Sequence, residues 1–156
     1  MTPDLDSLDH AILTHLQDDA RTIAETIGAK VGLSAAAVQR RIKRLRETGV
    51  IAREVAVLDP AALGLPMTFI VMVEMERERL EVLDAFRQQV LDDAHVQQCY
   101  YVTGTADFVL VVTCRDMLDF EAFTHRMFFD NENIRHFTTS VAMERVKVGL
   151  TLPLHD

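Results

Sequence analysis

The chain has 156 residues, 49% hydrophobic and 26% charged, with a formal net charge of −8. That balance excludes a disordered polar chain and leaves room for one ordinary domain or two small ones. The longest apolar run, residues 67–73, is too short to cross a bilayer, and the acidic start MTPDLDSLDH is unlike a secretion signal.

Two cysteines, Cys99 and Cys114, have neither metal-type spacing nor a disulfide framework, so a cytoplasmic protein with reduced thiols is expected. The negative charge is unevenly spread. Residues 1–60 hold eight Lys/Arg against nine Asp/Glu, whereas residues 61–156 hold eight against fifteen. Fields from exposed charges fade within about 10 Å at physiological salt. Local clusters therefore matter more than the total, and residues 40–46 place five cations in seven positions.

Three helical patterns open the chain. Leu8, Ile12 and Leu16 recur every fourth residue behind Asp6, a good N-cap. A second helix is expected from the T-x-x-E box Thr22–Glu25, with Ile23, Ile27 and Val31 inward and Gly28 or Gly32 near its end. Ser34 caps a third, with Val38, Ile42 and Leu45 inward and Gly49 as its stop. A short Gly-bearing joint between the second and third patterns predicts a helix-turn-helix. Residues 50–58 read as a strand leaving this winged unit, and Pro60–Pro66 as a hinge. The expected domains are 1–60 and 61–156.

The second part reads strand 67–76, helix 79–92, strands 95–103 and 107–114 around a turn at Gly104-Thr105-Ala106, helix 117–129 capped by Asp116, and strand 135–148. This β-α-β-β-α-β order predicts a ferredoxin-like domain, and the whole chain an α+β protein. The first of these strands is apolar on both faces in its middle. Helices cover one face of such a sheet, so a second chain is expected on the other.

In the third helix, Ala36, Gln39, Arg40 and Lys43 face outward, flanked by Arg41, Arg44 and Arg46. Small residues at Ala35–Ala37 allow close approach to a groove. Gln and Arg can hydrogen-bond base edges, and flanking cations displace counterions from phosphates. The expected DNA-binding set is Ser34, Ala36, Gln39, Arg40, Arg41, Lys43 and Arg44. Gln39 and Arg40 go to bases, and Arg41, Lys43 and Arg44 to phosphates, with a domain carboxylate as the alternative partner of Arg41 or Arg44. A plain solvated helix face is the competing reading of RRIKRLR.

These pieces together resemble the Lrp/AsnC family of transcriptional regulators over nearly the whole length. The carriers are LDSLDHAIL at residues 5–13, DDAR at 18–21, VGLS at 31–34, VQRRIKRLRETGVI at 38–51, LDPAALGL at 58–65, VTG at 102–104, Thr139, and Val146-Lys147. The resemblance implies double-stranded DNA as partner, dimers that assemble further, often as octamers, and a small effector, commonly an amino acid. It also implies an effector pocket near Gly104, Thr105 and Asp107, with Thr139 facing them and Tyr100 and Val102 as wall. A Gly turn offers backbone N–H groups to a carboxylate and Asp107 a partner for an ammonium group. A simple hairpin turn with Asp107 capping local backbone is the structural alternative. The family's usual acidic or amide residue and aromatic after the glycine are replaced here by Thr105 and Ala106.

No catalytic set is legible, so an enzyme is not expected. No cofactor motif appears, and the six histidines (10, 15, 95, 125, 136 and 155) show no metal-type spacing. The cysteines read as small buried hydrophobes.

Overall fold

In the computed structural model, which describes residues 4–77 and 79–154, the chain divides into two units. His155, one of the six histidines, lies outside the described residues. The first unit runs to Val57 and includes the residues from Lys147 onward; the second is Leu58–Val146.

The first unit is built on α1 (Ser7–Asp18), α2 (Ala24–Val31) and α3 (Ala35–Glu47). Asp6 caps α1 with a reciprocal box: its carboxylate accepts from the Asp9 backbone while the Asp9 side chain accepts from the Asp6 N–H. The box expected at the start of α2 does not form. Ile23 is the N-cap there, and the Thr22 hydroxyl instead donates to the Asp19 carbonyl. Gly32 ends α2 at φ 74°, and Ser34 Oγ accepts from the Ala37 N–H to start α3. Ile12, Ala24, Ile27, Val38 and Ile42 form a core between the three helices, with Leu16, Val31 and Leu33 packed beside it.

The strand expected at 50–58 is not formed, and no strand accompanies these helices among the described residues. Val55, Val57 and Leu58 are instead exposed. Residues from Lys147 onward join the first unit, where the Gln17 side chain both donates to the Leu152 carbonyl and accepts from its N–H.

The second unit contains β1 (Met67–Met75), α4 (Leu80–Asp92), β2 (Val96–Tyr101), β3 (Phe108–Cys114), α5 (Met117–Thr124) and β4 (Ile134–Val141). The sheet is antiparallel in the order β2-β3-β1-β4. Two helices on one side of that order make a ferredoxin-like fold. Phe69, Val71, Val73 and Met75 of β1 meet Leu83, Phe86 and Val90 of α4 and Phe120 and Phe123 of α5 in one core. Phe69 and Phe120 stack with ring centres 3.8 Å apart.

Two boundaries differ from expectation. The helix expected to run to Phe129 leaves α-geometry after Thr124 and closes with a π-helical turn, His125–Phe129. The wider turn buries consecutive Met127 and Phe128 and leaves Phe129 exposed. The last strand stops at Val141, not 148, because β1 offers no partner beyond its own start. Ala142 makes the final bond, to the Thr68 carbonyl, just after Pro66 has ended the ladder donors.

On the uncovered sheet face, register aligns Gln98, Val111, Ile70 and Ser140 in one row and Tyr100, Val109, Met72 and Thr138 in the next. Among the described residues, no helix covers the apolar centre of that face. No described helix is long and apolar enough to cross a membrane.

Candidate nucleic-acid interface and effector turn

Val38, Ile42 and Leu45 are buried, which fixes the rotation of α3. Ala36, Gln39, Arg40 and Lys43 consequently lie on its exposed side. Arg40 has no ion pair among the described residues, and Lys43 has only a loose contact with Glu47 at 3.7 Å on the same helix. Exposed pairs of that kind contribute little, so both cations remain available.

The other cations of the cluster are engaged within the unit. Arg41 Nη1 lies 2.8 Å from both Asp6 and Asp9 carboxylate oxygens, and Arg44 pairs with the second Asp9 oxygen. The Asp9 side chain is only 1% exposed. Burial by itself raises its pKa; the bonds from Arg41, the Asp6 backbone and Arg44 outweigh that and hold the carboxyl below its ordinary value. Arg46 forms a two-oxygen pair with Glu54. Thus Arg41 and Arg44, placed at phosphates from the sequence, have the carboxylate partner weighed as their alternative. Asp9 is the functional residue the sequence reading missed. Its signal was the D-x-x-D spacing of the α1 cap.

At the other candidate site, the β2–β3 turn gathers Val102, Gly104, Thr105 and Asp107. Gly104 has φ 123°, a conformation that favours glycine, and nothing crowds it. Asp107 is built into the backbone there: its N–H donates to the Val73 carbonyl, its carbonyl accepts from Val102, and its carboxylate accepts from the Met75 N–H at 2.6 Å. Tyr100 is half exposed and its hydroxyl donates to Gln98.

Thr139 is not brought to this turn within one chain. It pairs with Val71 on β1, whose other neighbour Leu110 pairs with Cys99 on β2. Three strand spacings of roughly 4.8 Å therefore separate Thr139 from β2. Its Oγ is buried without a hydrogen-bond partner among the described residues.

A helix-turn-helix with an exposed basic second helix, followed by a ferredoxin-like module, defines a ligand-binding transcriptional regulator. Residues 5–46 match the AsnC-type helix-turn-helix domain, and residues 68–152 the Lrp/AsnC ligand binding domain. The chain belongs to the Lrp/AsnC family of transcriptional regulators. It is 46% identical over 151 residues to an uncharacterised HTH-type transcriptional regulator of Sinorhizobium fredii, covering 97% of this chain and 89% of that one. An AsnC family regulator from Agrobacterium tumefaciens superposes with a TM-score of 0.91 at 35% identity, covering 96% and 97% of the two chains. A transcriptional regulator from Neisseria meningitidis, crystallised as a complex with L-Met, matches with a TM-score of 0.91 at 26% identity over 97% of each chain. This is a family of regulators, not of enzymes.

Proposed function

We propose that the protein is a sequence-specific regulator that reads double-stranded DNA with Gln39 and Arg40 and responds to a small effector, an amino acid. The carrying observation is the division of labour on α3. Asp9 ties Arg41 and Arg44 to α1, while Gln39, Arg40 and Lys43 stay outward on a helix capped by Ser34. A helix held in that rotation can enter the major groove N-terminus first, with Ala36 allowing close approach. Lys43 supplies phosphate contact, and Arg44, half exposed, keeps guanidinium nitrogens for a second.

The uncovered apolar face around Ile70, Met72, Val109 and Val111 supports a homodimer through the sheets. The alternating exposed Val146, Val148, Leu150 and Leu152 support further pairing between chains, up to an octamer. A dimer would present two α3 helices to an inverted repeat with half-sites about 10 bp apart, or a multiple of that. A role on DNA supports a cytoplasmic location.

For the effector, the Gly104 turn supplies open N–H groups, with Thr105, Tyr100 and Val102 as wall. One Asp107 oxygen is committed to Met75, so an ammonium group would use the other. Thr139 joins such a pocket only if it comes from another chain, which makes effector binding and assembly one event. The L-Met complex of the Neisseria meningitidis regulator supports the amino-acid class.

Selection of bound fragments from genomic DNA, with and without each of the twenty amino acids, tests this reading. One enriched inverted repeat whose occupancy changes with particular amino acids is expected. No enrichment over random fragments would remove the sequence-specific part, and an occupancy indifferent to all twenty the amino-acid part.

A further inference from the structure

Away from both sites, three residues of different elements converge at one end of the sheet. His95 immediately precedes β2, Cys114 ends β3, and Asp119 lies in the first turn of α5. An imidazole nitrogen, the Cys114 sulfur and an Asp119 oxygen all lie within 4.8 Å of one another. Cys114 is fully buried, whereas His95 and Asp119 keep some exposure, so the cluster has a solvent-facing side.

We propose that His95, Cys114 and Asp119 form a binding site for a zinc-class divalent metal ion. The donor set is sulfur, nitrogen and oxygen. A thiolate with an imidazole suits a borderline-soft ion and disfavours magnesium or calcium, which take oxygen shells. Three protein ligands leave the fourth tetrahedral position to water or another small ligand.

The surroundings fit that chemistry. His95 Nε2, 3.5 Å from Asp119 Oδ1, points into the cluster. Its other nitrogen, Nδ1, lies 3.2 Å from Asp93 Oδ1, and the Asp93 carboxylate is itself held by Arg126. A carboxylate behind a ligating histidine fixes ring orientation and raises the basicity of the ligating nitrogen. Phe123 packs beside the imidazole and confines it further.

Two cations oppose binding. Arg126 also lies 3.0 Å from His95 Nδ1, and Arg115 donates to both Asp119 oxygens. Arg115 is largely exposed, and exposed pairs are weak, so its guanidinium can swing into water when an ion arrives. A ligating thiol must be deprotonated, so binding breaks the Cys114 S–H bond, releases that proton to solvent and forms the metal–sulfur bond. Affinity should rise with pH.

The test uses the untagged full chain, titrated with Zn2+ by calorimetry and with Co2+ by absorption. One ion per chain is expected, with an intense sulfur-to-cobalt charge-transfer band that Cys99→Ser leaves intact. His95→Gln should weaken binding at least tenfold, and Asp93→Asn by about 10–100-fold through the second carboxylate. Absence of stoichiometric binding or of the sulfur band in the unaltered chain would overturn the proposal. So would a band that disappears with Cys99→Ser or is indifferent to His95→Gln. None of these outcomes requires the buried Cys114→Ser chain to fold.

Discussion

Asp9 carries more of the recognition unit than its position in the sequence suggests. Its carboxylate, closed off from water, accepts from the Asp6 backbone, Arg41 and Arg44, and so joins the start of α1 to two successive turns of α3. Replacing it with Ala leaves Arg41 with Asp6 alone and takes from Arg44 its carboxylate partner at the helix seam. Because Arg41 keeps Asp6 and Arg44 is half exposed, the loss is that of charged hydrogen bonds, about 1.5–3 kcal/mol. Urea unfolding of Asp9→Ala should show a fall of that order, while Lys43→Ala, exposed on the same helix, should change stability by less than about 0.5 kcal/mol. A second residue-scale consequence concerns acid. Asp9 is held below its ordinary pKa, and Asp119, bonded by the side chain and backbone of Arg115, is lowered to about 2. Both groups bind more protons unfolded than folded, so stability rises with pH through their range. Both contributions are complete above the ordinary carboxylate value of about 3.9 and are lost as pH falls below it, that of Asp119 toward about 2. Melting temperature measured with a chelator present should drop across that window, and Asp119→Asn should reduce the drop.

At the scale of elements, the turn between α2 and α3 rests on two glycines with different duties. Gly32 needs its left-handed φ of 74° but has open space around it. Gly28 has ordinary helical geometry, yet a Cβ there would run into the Leu33 carbonyl oxygen of the turn. Gly32→Ala should therefore cost about 1–2 kcal/mol for backbone conformation alone. Gly28→Ala forces the two helices apart, an overpacking cost of about 1–3 kcal/mol, and should also reduce DNA affinity by displacing α3. Comparing the two variants by denaturation and by DNA binding separates local strain from helix displacement. Gly28 was legible as a helix-weakening residue but not as a contact, because its partner is defined only once the turn closes. The same limit explains the other differences. Leu8, Ile12 and Leu16 announce α1 through local periodicity and the apolar run at 67–73 announces β1, and every helix and sheet strand that forms was expected from the local sequence. Residues 50–58 and 142–148 alternate as strands do, but alternation cannot say whether a neighbouring strand is available within the chain. The π-helical turn follows from packing Phe128 against Phe137, a contact with no local sequence signature. Likewise His95, Cys114 and Asp119 look scattered until β2, β3 and α5 meet.

At the scale of the whole molecule, a chain with net charge −8 must approach a polyanion, and how many cations it commits decides the salt dependence. Five cations at 40–46 suggest a broad electrostatic footprint, but Asp6, Asp9 and Glu54 neutralise much of it from inside the unit. Arg40 and Lys43 remain fully outward; with Arg40 on a base, Lys43 commits two cations to phosphates in a dimer. Each phosphate neutralised contributes about −0.9 to the slope of log affinity against log salt. Replacing both residues with Gln should therefore flatten the slope of a dimer by about 1.8, rising toward about 3.6 if Arg40 meets phosphate instead. Arg41→Gln should act differently: stability falls because Asp9 loses a partner, while the salt slope of the folded fraction stays within one unit. Gln39→Ala should leave stability and slope alone and relax base preference at one operator position by about 1–3 kcal/mol. Binding measured from low to physiological salt, on the selected operator and on random duplex, distinguishes these three behaviours. A slope that flattens equally for Arg41→Gln and Lys43→Gln would mean that Asp9 releases Arg41 when DNA is bound. The seam between α1 and α3 would then be part of the DNA-induced change, not the rigid mount that positions Gln39 and Arg40.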